Sequence, residues 1–85
     1  MKEFTYVIKA DEGLHARPAG ILLKKCAAYK SKITIFKGEK SAEATRLMKV
    51  MSLGAKKGDE VLVRVEGEDE DSVFEEVKAF FEAEF

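Results

Sequence analysis

The chain is poor in the residues on which disulfide bonds, metal sites and membrane anchors depend. Its 85 residues include no tryptophan and only one cysteine, one histidine and one proline. A lone Cys26 can form neither an internal disulfide nor a thiolate cluster for zinc, which favours a reducing compartment. No apolar run is long enough to span a bilayer, and the N-terminus lacks the apolar core of a signal peptide. We therefore expect a cytoplasmic protein with no metal site and no direct membrane insertion.

Positive and negative charges are nearly balanced. Fifteen Lys and Arg stand against 16 Asp and Glu, for a formal net charge of −1. Nucleic-acid-binding domains usually carry a basic field, so a nucleic-acid partner is disfavoured. A chain of this length predicts one domain, residues 1–85, with a core too small for an enclosed substrate cavity and a lid. Any chemistry is expected at the surface.

Hydrophobic periodicity switches between the two-residue period of strands and the 3.6-residue period of helices. Strands are predicted around residues 4–9, from 33 to a turn at 37–40, around 41–44 and over 60–66. Helices are predicted over 16–29 and 47–53, the latter ended by Gly54, and from a cap at Asp69 or a neighbour through Phe81. The order β-α-β-β-α-β-α is that of an α+β fold, and periodicity alone leaves the strand order open.

The only histidine and the only proline lie together in GLHARPA, residues 13–19. Helical periodicity from Ala16 places His15 at or just before the start of a helix. Pro18 fits the first turn, where the amide hydrogen it lacks would have no partner. The remaining amides and the helix dipole favour an anion there, and the guanidinium of Arg17 suits phosphate oxygens. Because imidazole is a nucleophile near neutral pH, this arrangement predicts that His15 accepts a phosphoryl group.

An isolated His-x-Arg-Pro also fits a surface histidine beside a solvated arginine, since short motifs occur by chance. The whole chain, however, resembles HPr, the histidine-containing phosphocarrier of the bacterial phosphoenolpyruvate:sugar phosphotransferase system, without gaps. Residues 13–19 look like the active centre of that family, and VMSLG at 50–54 looks like its second characteristic segment. KGDEV at 57–61 and EGEDE at 66–70 look like the segments that lead into its last strand and last helix.

The resemblance implies an HPr-like open-faced sandwich. In that fold four antiparallel strands lie in the order first, fourth, second, third, and three helices cover one face. It implies a monomeric carrier rather than an enzyme, without a cofactor. Enzyme I, charged by phosphoenolpyruvate, would phosphorylate His15, and enzyme IIA domains of sugar transporters would receive the group. Arg17 would stabilise the phosphate and Pro18 would start the helix. The family uses the Nδ1 nitrogen, which the sequence alone does not distinguish from Nε2.

A docking face is expected beside His15. The helix predicted over residues 47–53 has more apolar residues than one buried face requires, so some are exposed and available to partners. The resemblance assigns partner contacts to Ala16, Gly20, Lys24, Leu47, Met48, Lys49, Met51 and Ser52. Arg17 and the two lysines make this rim basic, which predicts partners that present carboxylates.

Position 46 departs from many HPr proteins of Gram-positive bacteria, in which an ATP-dependent kinase phosphorylates a serine there. Arg46 has no hydroxyl, so this regulatory phosphorylation is not expected at that residue.

Three other functions remain open from the sequence. A paralogue with the same chemistry could feed a regulatory or nitrogen-related phosphorelay. An enzyme could use His15 as a general base, although no motif places a serine, cysteine or carboxylate beside it. A pure interaction or RNA-binding module would need solvent-facing aromatics on its sheet, whereas most aromatics here fall on buried stripes.

Overall fold

Four strands and three helices follow one another in the predicted order. The computed structural model describes residues 1–85. Its elements are β1 (Lys2–Val7), α1 (Ala16–Ala28), β2 (Lys32–Lys37), β3 (Lys40–Glu43), α2 (Leu47–Ser52), β4 (Glu60–Glu66) and α3 (Glu70–Glu84). The strands form one antiparallel sheet in the order β1-β4-β2-β3. The predicted fold is confirmed, and none of its helices is long and apolar enough to cross a membrane.

One face of the sheet is apolar across all four strands. A single row of paired residues runs through Phe4, Val63, Ile35 and Ala42, and all four are buried. Alternation along each strand places these side chains on the same face, which the three helices cover. The opposite face carries polar and half-buried residues, among them Arg64. The covered face therefore forms the single core.

Helices α1 and α3 contribute aromatic and sulfur-bearing side chains to this core. Phe81 is fully buried, and its ring centroid lies 5.7 Å from those of Phe4 and Tyr6 in edge-on arrangements. Cys26 is buried in α1, and burial raises the pKa of its thiol to about 12. The thiol therefore stays protonated at neutral pH and serves as an unreactive packing group.

The start of α3 lacks the capping hydrogen bond expected from an aspartate side chain. Asp69 occupies the N-cap position, but its side chain makes no capping hydrogen bond. Its carboxylate instead accepts hydrogen bonds from the Ser31 hydroxyl and from the backbone amide of Lys30 at 3.0 Å. The predicted position of the cap is therefore confirmed, but the Asp69 carboxylate does not bond the amides of α3, because the connection between α1 and β2 takes it. These bonds, led by the one from Ser31, lower the pKa of Asp69.

Candidate functional site

The loop before His15 is held against the segment that follows α2. Gly13 has a φ of 71°, and a Cβ added to it would lie 2.3 Å from the carbonyl oxygen of Ala55. The amide of Leu14 donates to that same oxygen at 3.1 Å. Only glycine combines this conformation with so close an approach. This close approach therefore fixes the course of the loop that places His15 at the start of α1.

His15 is the N-cap residue of α1. Its extended backbone, with φ −89° and ψ 163°, turns the chain into the helix, and its carbonyl accepts from Ala19 at 3.2 Å. Its amide donates to the carbonyl of Gly13 at 2.9 Å. The imidazole is half-buried and takes part in no hydrogen bond or ion pair within the chain. Both ring nitrogens are thus uncommitted.

The first turn of α1 leaves two amides free beside this ring. Ala16 and Arg17 donate to no backbone or side-chain acceptor, and Pro18, which is buried, has no amide hydrogen. The turn contains no acidic residue. An open depression of about 290 Å³ lies here, lined by Glu12, His15, Ala16 and Arg17. Unpaired amides at the positive end of a helix dipole favour an anion in this depression.

Only one of the three charged side chains near the depression, that of Asp11, forms an ion pair within the chain. Arg17 is exposed and forms no ion pair, so its guanidinium is free to turn onto an anion. Asp11 is paired with the ammonium of Lys57 at 2.8 Å. Glu12 lines the depression and has no such partner. The cation available to an anion is therefore Arg17, and Glu12 is the only carboxylate in the lining.

Helix α2 exposes part of its apolar surface, as its sequence predicts. Met48 is 79% exposed, Leu47 and Met51 are half-buried, and Val50 and Leu53 are each 2% exposed. The exposed side carries a depression of about 540 Å³ lined by Arg46, Leu47, Met48, Lys49 and Ser52. The structure thus provides an apolar surface with a basic border on α2.

The remaining predicted contact residues lie on α1 and at the end of α2. Ala16 and Lys24 are exposed, and Gly20 is half-buried with no atom within 4 Å of where a Cβ would stand. Ser52 is exposed, and its hydroxyl donates to the carbonyl of Lys49 at 2.7 Å. These side chains are accessible to a partner.

Sequence reasoning missed two apolar residues near the site. Ile21 is 46% exposed and stands one helical turn after Arg17, a spacing of four residues that places it on the same side of α1. Phe85 is buried, and its ring centroid lies 6.3 Å from that of His15. Its spacing of four residues from Phe81 could have extended the apolar stripe of α3 to it. This spacing does not predict that Phe85 contacts His15, because the two residues are 70 positions apart in the chain.

Comparison with known proteins identifies the family that has this fold. A family model described as the PTS HPr component phosphorylation site matches residues 2–83. Phosphocarrier protein HPr of Mycoplasma capricolum is 36% identical over 78 residues, covering 92% of this chain and 88% of the relative. HPr of Borreliella burgdorferi is 38% identical over 77 residues, covering 91% and 90% respectively. A crystal structure of HPr from Thermoanaerobacter tengcongensis superposes with a TM-score of 0.89 at 36% identity, covering 98% of this chain and 93% of that one. The chain therefore belongs to the HPr family, the phosphocarrier proteins of the phosphotransferase system.

Proposed function

We propose that residues 1–85 act as one cytoplasmic phosphocarrier domain that receives a phosphoryl group on His15 from enzyme I and passes it to enzyme IIA domains. The observation that carries this proposal is the uncommitted imidazole at the N-cap of α1, beside two amides without partners. The phosphohistidine is transient in this scheme, because the group received from enzyme I is passed on to an enzyme IIA domain. The chain is a relay and completes no reaction by itself.

Transfer requires one nitrogen of a neutral imidazole to attack the phosphorus held on the donor histidine of enzyme I. A nitrogen–phosphorus bond forms on His15 as the donor's nitrogen–phosphorus bond breaks, and the donor ring leaves with the bonding electron pair. The proton stays on the other nitrogen of His15. We assign the acceptor role to Nδ1, because this nitrogen lies nearer the backbone and brings the phosphoryl oxygens towards the amides of Ala16 and Arg17.

The surroundings stabilise the charge that arrives. Helix amides and a guanidinium hold phosphoryl oxygens without taking part in bond formation, and they act equally on transfer to and from His15. Arg17 therefore lowers the barrier in both directions. Losing one such stabilising group typically costs roughly 10-fold to 1000-fold in rate. Pro18 fixes the first turn, so the amides are aligned before the partner binds.

Partners dock on the surface that joins the start of α1 to α2. Met48 and Ile21 supply exposed apolar area, and Lys24 and Lys49 supply positive charge. Apolar anchors near the centre of an interface carry most of its binding energy, while charges at the rim steer encounter. Enzyme I and enzyme IIA domains are thus expected to present an apolar patch bordered by carboxylates.

The alternatives from the sequence find less support. The general-base alternative gains no side-chain nucleophile from the structure, because the depression at His15 is lined by Glu12, Ala16 and Arg17 and holds no hydroxyl or thiol for the imidazole to activate. An RNA platform needs accessible aromatics, whereas Phe36, on the uncovered sheet face, is overlain by the Arg64 guanidinium at 4.7 Å from its ring centroid. A regulatory or nitrogen-related paralogue would use the same chemistry on His15, so the identity of the acceptor distinguishes it.

We expect no regulatory phosphorylation at position 46. Arg46 is the N-cap residue of α2, is exposed and makes no side-chain capping hydrogen bond. It offers no hydroxyl to an ATP-dependent kinase. Incubation with an HPr kinase and ATP should leave the chain unlabelled, while enzyme I should still phosphorylate it. Labelling from ATP at any serine or threonine would contradict this part of the proposal.

A reconstituted relay tests the proposed function. Enzyme I, phosphoenolpyruvate and magnesium are mixed with a sugar-specific enzyme IIA, and phosphorylation of the enzyme IIA is followed with and without the chain. Transfer should require the chain, and Arg17→Ala should slow both half-reactions by roughly 10-fold to 1000-fold. Lys25→Ala is the matched control, because Lys25 is an exposed cation in the last turn of α1. Equal rates for the two variants would refute the role of Arg17, and no transfer to any enzyme IIA would favour the paralogue.

A further inference from the structure

The ring of Phe85 packs directly against the imidazole of His15. The two ring centroids are 6.3 Å apart and the planes meet at 84°, an edge-on arrangement. Phe85 is 3% exposed and also packs against Phe81 and Phe80, at centroid distances of 4.9 Å and 6.0 Å. The aromatic cluster of α3 therefore reaches the phosphoryl-accepting residue through Phe85.

Hydrogen bonds of the main chain hold Phe85 and His15 in one framework. The carbonyl oxygen of Phe85 accepts from the amides of Lys9 at 2.6 Å and Ala10 at 2.7 Å. The carbonyl of Ala10 accepts from Gly13 at 3.0 Å, and the carbonyl of Gly13 accepts from His15 at 2.9 Å. The backbones of Phe85 and His15 are thus held in one relative position, independently of any partner.

No polar contact within the chain orients the imidazole. A histidine side chain rotates about two bonds, and no hydrogen bond restrains that of His15. In-line transfer needs the attacking nitrogen aimed at phosphorus, and a misplacement of about 1 Å can cost about 100-fold in rate. An edge-on aromatic contact is a restraint of the required kind, because it favours one orientation of the two rings.

We propose that Phe85 is a positioning residue for His15, whose ring holds the imidazole so that its acceptor nitrogen stays over the first turn of α1. This inference rests on the proposed role of His15 as phosphoryl acceptor. Phe85 touches no phosphoryl oxygen in this scheme and acts only through the imidazole. Its removal should therefore lower the rate of the transfer step and leave docking unchanged.

Phe85→Leu tests the proposal, because leucine keeps an apolar side chain and removes the ring. Phe80→Leu is the matched control, since Phe80 packs on Phe85 without contacting His15. Phe85→Leu should lower kcat for phosphorylation by enzyme I by roughly 10-fold to 100-fold with KM for the carrier unchanged. Phe80→Leu should leave both constants near their wild-type values. A rate for folded Phe85→Leu equal to that of Phe80→Leu would overturn the proposal.

An NMR readout separates this inference from the proposed function and needs no phosphotransfer. In the unmodified protein, nuclear Overhauser effects should connect the His15 and Phe85 rings, and the His15 ring should occupy one rotamer. In Phe85→Leu the ring should average between rotamers. A mobile His15 ring in the unmodified protein would overturn the proposal even if Phe85→Leu failed to fold. A fixed ring in a protein that enzyme I never phosphorylates would support the positioning contact and refute the proposed function.

Discussion

Gly13→Ala is the substitution that tests most sharply how the fold positions the site. The added Cβ would stand 2.3 Å from the Ala55 carbonyl oxygen, on a backbone whose φ is 71°. The left-handed conformation alone costs a residue with a side chain roughly 1–2 kcal/mol. Relief of the clash requires the loop to move from Ala55, which breaks the hydrogen bond from Leu14 to that oxygen and costs roughly a further 0.5–1.5 kcal/mol.

The two costs together predict a loss of roughly 1.5–3.5 kcal/mol in the free energy of unfolding. Gly38→Ala provides the control, because Gly38 has a similar φ of 59° but no atom within 4 Å of its Cβ position. It should cost only the conformational part. Each kcal/mol lowers Tm by about 4–8 °C in a domain of this size, so thermal unfolding resolves the difference.

The clash also displaces the loop that carries His15. The amide resonances of Ala16 and Arg17 should therefore move in Gly13→Ala and stay in place in Gly38→Ala. If Gly13→Ala melts no earlier than Gly38→Ala and leaves those resonances unmoved, the close approach to Ala55 does not determine the path of the loop.

Three further predictions follow from single residues. Gly20→Ala should raise the free energy of unfolding by roughly 1 kcal/mol, because Gly20 is in a helix interior with open space at its Cβ position; a lower Tm would refute this. Asp69 has a lowered pKa in the folded state, so its stabilising contribution is present above the unfolded value of about 3.9 and is lost as pH falls through the folded pKa. Urea unfolding midpoints of Asp69→Asn should thus lie below wild type at neutral pH and converge with it in acid; a constant gap would contradict this. Met48→Asp should weaken binding of enzyme I by at least about 10-fold in calorimetry without lowering Tm, since Met48 is 79% exposed; unchanged affinity would remove α2 from the docking face.

The sequence predicts the elements well because periodicity is a local property. Alternation at Val61, Val63 and Val65 identifies β4, and the left-handed Gly54 ends α2 as its position suggests. Strand order needed the resemblance, because pairing of β1 with β4 joins residues that are distant in the chain. The carboxylate of Asp69 shows the same limit, since its partners Ser31 and Lys30 lie far away in sequence.

For the site, too, local features could be predicted from the sequence and contacts between distant segments could not. The start of α1 after His15 follows from the proline and the helical pattern, both of which are local. The contact of Phe85 with His15, and that of Gly13 with Ala55, depend on how distant segments meet, and no residue pattern encodes either one. The sequence indicates that some residues of α2 are exposed; only packing against the core selects Met48.

The most direct test of the central claim is the intact mass of the chain after incubation with enzyme I, magnesium and phosphoenolpyruvate, measured beside His15→Ala. The unmodified chain should gain a single acid-labile phosphoryl group, and tandem mass spectrometry should place it on His15. The His15→Ala chain should remain folded and gain none, because the imidazole is half-buried and makes no hydrogen bond. A phosphoryl group on His15→Ala, or none on the unmodified chain, would contradict the claim that His15 is the phosphoryl carrier.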